Sequence, residues 1–119
     1  MKYGFEDDVW ESAKVEAKQL LIKRAKLRGM MPYSELVAKM QTIKIEPHDK
    51  KLFKFLGEIS SEEDKAGNGM LTVIVVHKHG DMQPGPGFFE LAQELGRNTS
   101  DILKCWVDEL HKVHGKWGK

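Results

Sequence analysis

Histidine side chains are the residues of this chain that could support metal binding. His77 and His79 alternate at the end of an apolar segment, and His111 and His114 are three residues apart on a predicted helix. Neither pair is accompanied by a third histidine, cysteine or carboxylate at the spacing that a closed zinc site requires. The sequence therefore predicts no metal and no other cofactor, and we expect polar, partly exposed histidines instead.

Serine side chains do not form a recognisable catalytic motif. No nucleophile-elbow pattern is present, and helix capping or exposure to solvent accounts for every serine. A small enzyme would instead need a pocket that brings Tyr33, His77 and Lys78 together. We expect a protein that binds a ligand without catalysing a reaction, with such an enzyme as a third alternative.

Lysine side chains on a predicted third helix could bind phosphate groups. Asp49 is a plausible N-cap for this helix, and Lys50, Lys51 and Lys54 follow it opposite an apolar face. Ammonium groups on an exposed helix face can bind nucleic-acid phosphates, although a merely solvated face has the same composition. A larger basic run over residues 14–28 allows the same two interpretations.

Hydrophobic periodicity predicts a mostly helical chain of the α+β class, with about five to six helices and one strong strand. The first predicted element is an amphipathic helix over about residues 6–28, which Gly29 ends. A short helix opened by residues 32–35, a third helix after Asp49 and one further turn capped by Ser60 and Glu63 follow it. The second half comprises a strand at 71–76, a helix at 88–95 and a last helix capped by Ser100 or Thr99. The expected buried stripe of the last helix is Leu103, Trp106, Val107, Leu110, Val113 and Trp117.

This order of elements is typical of a winged-helix domain, in which the third helix enters a nucleic-acid groove. The Gly/Pro-rich residues 82–87 would form the wing, and a short partner strand would follow the turn before them. No linker divides the chain, so we predict a single domain over residues 1–119. It comprises an N-terminal amphipathic helix (1–28), a winged-helix-like core (30–96) and a C-terminal helix (97–119).

Three short segments add a family resemblance to this interpretation. They read Pro-Tyr-Ser-Glu-Leu-Val at residues 32–37, Lys-Phe-Leu-Gly at 54–57 and Val-Val-His-Lys at 75–78. In this order they resemble the Thr-Tyr-Gly-Glu-Leu-Ala, Arg-Ala-Val-Gly and Pro-Cys-His-Arg segments of alkylguanine-DNA alkyltransferases and alkyltransferase-like proteins. The similarity covers about residues 30–96, with longer spacings between the segments than the family shows.

The resemblance implies DNA binding without alkyl transfer. The family's acceptor cysteine falls at Val76, whose aliphatic side chain is not a nucleophile, and alkyltransferase-like proteins also lack this cysteine and bind lesions. By resemblance, Tyr33 would lie against the phosphate of the target nucleotide and Lys54 would replace the intercalating arginine. His77 and Lys78 would lie beside the vacant pocket.

We therefore predict a non-enzymatic, winged-helix-like protein that binds nucleic acid, with DNA as the expected polymer. The predicted binding residues are Tyr33, Ser34, Lys50, Lys51, Lys54, His77 and Lys78. The alternative is a protein-interaction module, such as a small bacterial regulator or a toxin-neutralising immunity protein. Residues 58–64 or the loop 82–89 would then dock a partner. The division of charge along the chain favours this alternative, because residues 1–57 carry twelve Lys/Arg against eight Asp/Glu while residues 58–119 carry seven Lys/Arg against ten Asp/Glu.

Composition excludes several other classes of protein. The net charge of +1 is not that of a bulk-basic nucleic-acid binder, and the longest apolar run, residues 73–76, is far shorter than the ~20 residues of a membrane span. The single cysteine, Cys105, and the acidic residues 1–8 predict a cytoplasmic protein without a signal peptide or membrane partner. The motif Pro-Gly-Pro-Gly-Phe-Phe-Glu-Leu-Ala at 84–92 also resembles one in small bacterial proteins of no assigned activity, which implies a bacterial origin.

Overall fold

Five α-helices and a two-stranded parallel sheet form the part of the chain that the computed structural model describes, residues 3–78 and 83–118. The helices are α1 (Asp7–Lys26), α2 (Tyr33–Lys39), α3 (Lys50–Lys65), α4 (Pro86–Glu94) and α5 (Ile102–Trp117), and the strands are β1 (Met31–Pro32) and β2 (Val75–Val76). In the sheet, Met31 pairs with Val75 and Pro32 with Val76. The predicted mostly helical class is confirmed. Of the wing predicted over residues 82–87, residues 83–85 belong to no helix or strand, but Pro86 and Gly87 begin α4, so the loop prediction is wrong for these two; residues 79–82 lie outside the described residues.

The first helix ends one residue earlier than the glycine stop signal suggested. Arg28, with a φ of 54°, adopts the left-handed conformation that usually falls to glycine. The amide of Gly29 donates to the carbonyl of Arg24 (3.2 Å) and that of Arg28 to Ala25 (2.9 Å), which is the Schellman pattern of hydrogen bonds. The left-handed residue at the end of α1 is therefore Arg28, and Gly29 is the residue that follows it.

The centre of the core is a 3-10 helix, so the prediction of a strand over residues 71–76 is wrong for most of its length. Leu71–Ile74 form this helix, and β2 has two residues. Side-chain oxygens accept the hydrogen bonds that the backbone amides of a strand would donate to a neighbouring strand. The Thr72 amide donates to Ser60 Oγ (3.1 Å), and the Met70 amide donates to Glu109 Oε2 (2.8 Å). The segment packs against α1, α3 and α5 and is buried throughout.

Ser60 has a role that differs from its predicted one. It does not cap a separate turn, because α3 continues through it to Lys65. Its hydroxyl lies 2.5 Å from that of Thr72 and is buried in the core. The N-cap prediction at the other end of α3 is confirmed, since Asp49 Oδ1 accepts a hydrogen bond from the Lys51 amide (2.9 Å).

The long basic run of α1 faces carboxylates of its own chain. Lys14 is buried and its ammonium lies 3.1 Å from Glu11, 3.1 Å from Glu58 and 2.5 Å from Glu62. Burial lowers the pKa of Lys14, but these carboxylates raise it by more, so the ammonium stays charged. The side chain of Lys18 also binds Glu62. Much of the run is therefore occupied within the fold.

The predicted buried stripe of the last helix is confirmed at Val113, which is buried, and Trp106, Leu110 and Trp117 are partly buried against the core, but its predicted cap and Leu103 are wrong. Asp101, and neither Thr99 nor Ser100, is the N-cap, and its carboxylate accepts from the Lys104 amide (3.1 Å). Leu103 is 55% exposed, which contradicts its predicted burial. The fully buried positions of α5 are Cys105, Glu109, Val113 and His114.

His114 was expected to be partly exposed, and that expectation is wrong. Its side chain is buried, with Nε2 3.0 Å from the carbonyl oxygen of Gly29, so it ties α5 to the segment after α1. Among the described residues, no group of three His, Cys, Asp or Glu side chains is arranged to hold a metal ion. No described helix is both long and apolar enough to cross a membrane.

Candidate nucleic-acid interface

A cleft of about 480 Å³ opens where the starts of α2 and α3 meet the segment after β2. We call it the central cleft. Its lining residues are Tyr33, Ser34, Pro47, His48, Phe53, His77 and Lys78. Four of the seven residues predicted to bind nucleic acid are thus brought together, although they are up to 45 positions apart in the sequence.

The parallel sheet is what places Tyr33 beside His77. Pro32 and Val76 are paired at the ends of β1 and β2, so the residues that follow them leave the sheet at the same edge. The two rings lie with centroids 5.2 Å apart and a 47° angle between their planes. Two strands of two residues each therefore suffice to build one wall of the central cleft.

The hydroxyl of Tyr33 is turned into the protein. Tyr33 is 8% exposed, and its oxygen accepts a hydrogen bond from the Gly85 amide (2.9 Å). Burial raises the pKa of this phenol, while the bond from Gly85 acts in the opposite direction, so the hydroxyl is neutral at physiological pH. A Cβ at Gly85 would lie 3.5 Å from both this oxygen and His77 Nε2, an ordinary van der Waals distance, so Gly85 lies against both side chains.

Phe53 supplies an exposed aromatic surface that sequence reasoning did not identify. It is 39% exposed and meets Tyr33 edge to face, with ring centroids 6.3 Å apart. A Cβ at Gly87 would lie 3.9 Å from that of Phe53, so the Gly/Pro segment that begins α4 packs beside α3. The available signal was a phenylalanine on the lysine-bearing face of an amphipathic helix, where packing does not require one. His48 and Pro47, in the preceding connector, carried no comparable signal.

Three exposed lysines, Lys50, Lys54 and Lys78, have no carboxylate partner among the described residues, and of these Lys78 alone lines the central cleft. Lys50 and Lys54 lie one helical turn apart on either side of Phe53, and Lys78 lines the cleft directly. None of the three forms an ion pair within the described ranges. Lys51 points elsewhere, with its ammonium 5.8 Å from the ring centroid of Phe5.

An acidic groove limits this cationic surface on one side. The groove runs between α3 and α4, and both Lys54 and Gly57 line it. Its carboxylates belong to Glu58, Glu62, Glu90 and Glu94. A polyanion is therefore favoured at the Lys50 and Lys78 side of Phe53 and repelled further along α3.

Some residues of the two surfaces assigned to a protein partner make contacts within the fold. In the acidic segment 58–64, Glu58 and Glu62 bind Lys14, and Asp64 binds Arg97 (2.6 Å). In the loop 82–89, the Gly85 amide is hydrogen-bonded within the fold, and Met82 lies outside the described residues. His79, the second member of the predicted histidine pair, is also outside them.

Comparison with known proteins does not identify a relative. No protein-family model, no curated protein and no solved structure matches this chain. The function is therefore argued from the central cleft and from the charges around it.

Proposed function

We propose that this protein binds nucleic acid, with DNA as the polymer, through the central cleft and the lysines at its edge. The observation that carries the proposal is that the exposed rings of Phe53 and His77 line the central cleft together with Lys78, while Lys50 and Lys54 lie on α3 in the same turn as Phe53 and form no ion pair among the described residues. Rings of this kind stack on unpaired bases, and lysines neutralise the adjacent phosphates. No reaction is part of the proposal, because Val76 stands at the reactive position of the resembling family and is fully buried.

The positions of the resembling segments support a winged-helix-like, alkyltransferase-like mode of binding. Segments 32–37 and 75–78 both contribute to the central cleft, and segment 54–57 begins next to Phe53. In this mode α3 approaches the polymer with the face that carries Lys50 and Lys54. The single buried cysteine agrees with action in a reducing cytoplasm.

Fluorescence anisotropy with labelled single-stranded and duplex DNA of matched sequence tests the proposal. Three phosphate contacts predict that log K falls with log salt with a slope of about −2 for single strands and about −3 for duplex. Charge reversal at Lys50, Lys54 and Lys78 together should remove measurable binding at moderate salt. Each single Lys→Gln change should make the slope less steep by about 0.7–0.9.

Lys112→Glu is the matched control. This exposed lysine belongs to α5 and lies near Asp64, which is about 20 Å from Lys50 along α3 at 1.5 Å per residue. The variant makes the change of charge of one cleft-lysine reversal and should retain the affinity of the wild type. Equal losses of DNA affinity from Lys112→Glu and from reversal of the charges of Lys50, Lys54 and Lys78 would contradict a localised interface. An absence of salt-dependent binding would refute nucleic-acid binding altogether.

A further inference from the structure

A second cleft lies on the other side of His77. It has a volume of about 450 Å³, and we call it the lateral cleft. Its described lining residues are His77, Gln83, Pro84, Pro86, Phe89, Glu90, Gln93, Thr99 and Ile102. We propose that the lateral cleft holds a second unpaired base, so that the ligand is a single-stranded segment with neighbouring bases on the two sides of His77. This inference rests on the proposed function.

Continuity with the central cleft is the first argument. His77 is exposed and lines both clefts, so the imidazole forms a shared wall between them. The two volumes each lie within the ~300–1,000 Å³ range of small-molecule sites. One strand can therefore pass over His77 and place a base on each side.

The chemistry of the lining residues favours a base over a phosphate. Phe89 presents a half-buried ring that Phe88 supports edge to face at 5.3 Å, and Ile102 is 50% exposed. Gln93 and Thr99 add amide and hydroxyl groups that can hydrogen-bond the edge of a base. Glu90 is the one formally charged side chain among the described lining residues, and its negative charge repels a phosphate.

Duplex DNA does not fit this arrangement. Neighbouring bases in a duplex stack about 3.4 Å apart, which leaves no room for an imidazole between them. Their hydrogen-bonding edges are also engaged by the opposite strand. A ligand that fills both clefts must therefore be unstacked and unpaired where it crosses His77.

Binding of an oligothymidine strand and of a hairpin duplex, each by fluorescence anisotropy, tests the inference. Ile102→Glu places a carboxylate in the lateral cleft, and Leu103→Glu is its matched control, because Leu103 is the adjacent residue, equally exposed, and does not line the cleft. We expect the wild type to prefer the single strand and Ile102→Glu to weaken that binding about 10-fold, the factor for one lost base-stacking contact. Leu103→Glu should change it less than 2-fold.

Gln93→Glu, at an exposed position of α4, provides a second test in case Ile102→Glu fails to fold, and it should also weaken single-strand binding selectively. Equal affinity for single strand and duplex, or equal effects of the Ile102 and Leu103 variants, would overturn the second base site and leave the proposed function standing. Loss of all salt-dependent binding in the wild type would refute both.

Discussion

Replacing the buried carboxylate of Glu109 by an amide is expected to destabilise the protein strongly, because this group joins three segments of the core. Glu109 is 4% exposed. Its Oε2 accepts hydrogen bonds from the Met70 amide (2.8 Å) and from Arg97 Nη2 (3.0 Å), and its Oε1 accepts from Arg97 Nε (2.9 Å). Arg97 in turn binds Asp64 at the end of α3, so the carboxylate links α5, α3 and the entry to the 3-10 helix.

Glu109→Gln is expected to lower the free energy of unfolding by about 3 kcal/mol. A glutamine oxygen at the Oε2 position can keep two of the three hydrogen bonds, but the amide nitrogen at the Oε1 position then faces Arg97 Nε, donor against donor. Hydrogen bonds to charged groups contribute about 1.5–3 kcal/mol each, and breaking a buried ion pair costs about 3–5 kcal/mol. We take the lower end because Arg97 is partly exposed and keeps Asp64 as a partner. For 119 residues, with an unfolding entropy of about 0.25 kcal/mol/K, this lowers the melting temperature by about 12 °C.

Differential scanning calorimetry of the purified protein measures this loss. Asp108→Asn is the control, since the neighbouring carboxylate is exposed and pairs with Lys104 one turn away, a contact that contributes at most about 0.5 kcal/mol. A double-mutant cycle with Arg97→Met isolates the coupling between the two charged groups. Equal melting temperatures for Glu109→Gln and Asp108→Asn would refute the view that the Glu109 carboxylate organises the core.

Two further predictions concern a strained residue and the response to acid. Arg28→Gly should raise the free energy of unfolding by up to about 1 kcal/mol in urea titrations, because glycine adopts the left-handed conformation without strain. Arg28→Ala should give no such increase. An equal increase for both variants would argue against backbone strain at Arg28. Hydrogen bonds from arginines lower the pKa of the Glu35 and Asp64 carboxyls. Their stabilisation is therefore complete above their ordinary pKa values and is lost as the pH falls through the lowered ones. The urea midpoint should decrease as the pH falls below about 4.5, and Glu35→Gln should reduce that decrease. A midpoint independent of pH below this value would contradict it.

Helix positions were largely predictable because local chemistry determines them. The apolar spacing along α1 and α3 and the carboxylate of Asp49 act within a few residues of sequence. The helix predicted over residues 88–95 is present as α4, although it begins two residues earlier, at Pro86, whose fixed φ suits the first turn of a helix. These signals needed no knowledge of the rest of the chain.

The 3-10 helix was not predictable from the same kind of signal. A β-branched apolar run such as residues 71–76 is typical of a strand, because a strand normally finds its hydrogen-bond partners in a sheet. Here Ser60 and Glu109, 12 and 39 residues from the amides that they bind, supply acceptors instead. Such partners are set by tertiary packing, and a local pattern carries no information about them.

Some residues of the candidate site could likewise be predicted from the sequence, and others could not. Resemblance to a known family drew attention to Tyr33, His77 and Lys78, and these residues do line one cleft. The contact between Tyr33 and His77 depends on pairing between two-residue strands, which are too short to leave a periodic pattern. Phe53 was assigned no role, because an aromatic residue between lysines is equally compatible with a partly solvated helix face.

Under the proposed function, the small number of cations near the central cleft determines what kind of nucleic acid this protein can hold. The largest basic run is in α1, but Lys14 and Lys18 are held by carboxylates of α3 and Arg24 by Glu35 of α2. Lys78 in the central cleft and Lys50 and Lys54 on α3 give too few phosphate contacts for tight duplex binding at physiological salt, where affinity depends on counterion release. The remaining free energy must come from stacking on Phe53 and its neighbours, and stacking requires bases that are not already paired. The distribution of charge and the geometry of the cleft thus lead independently to an unpaired strand.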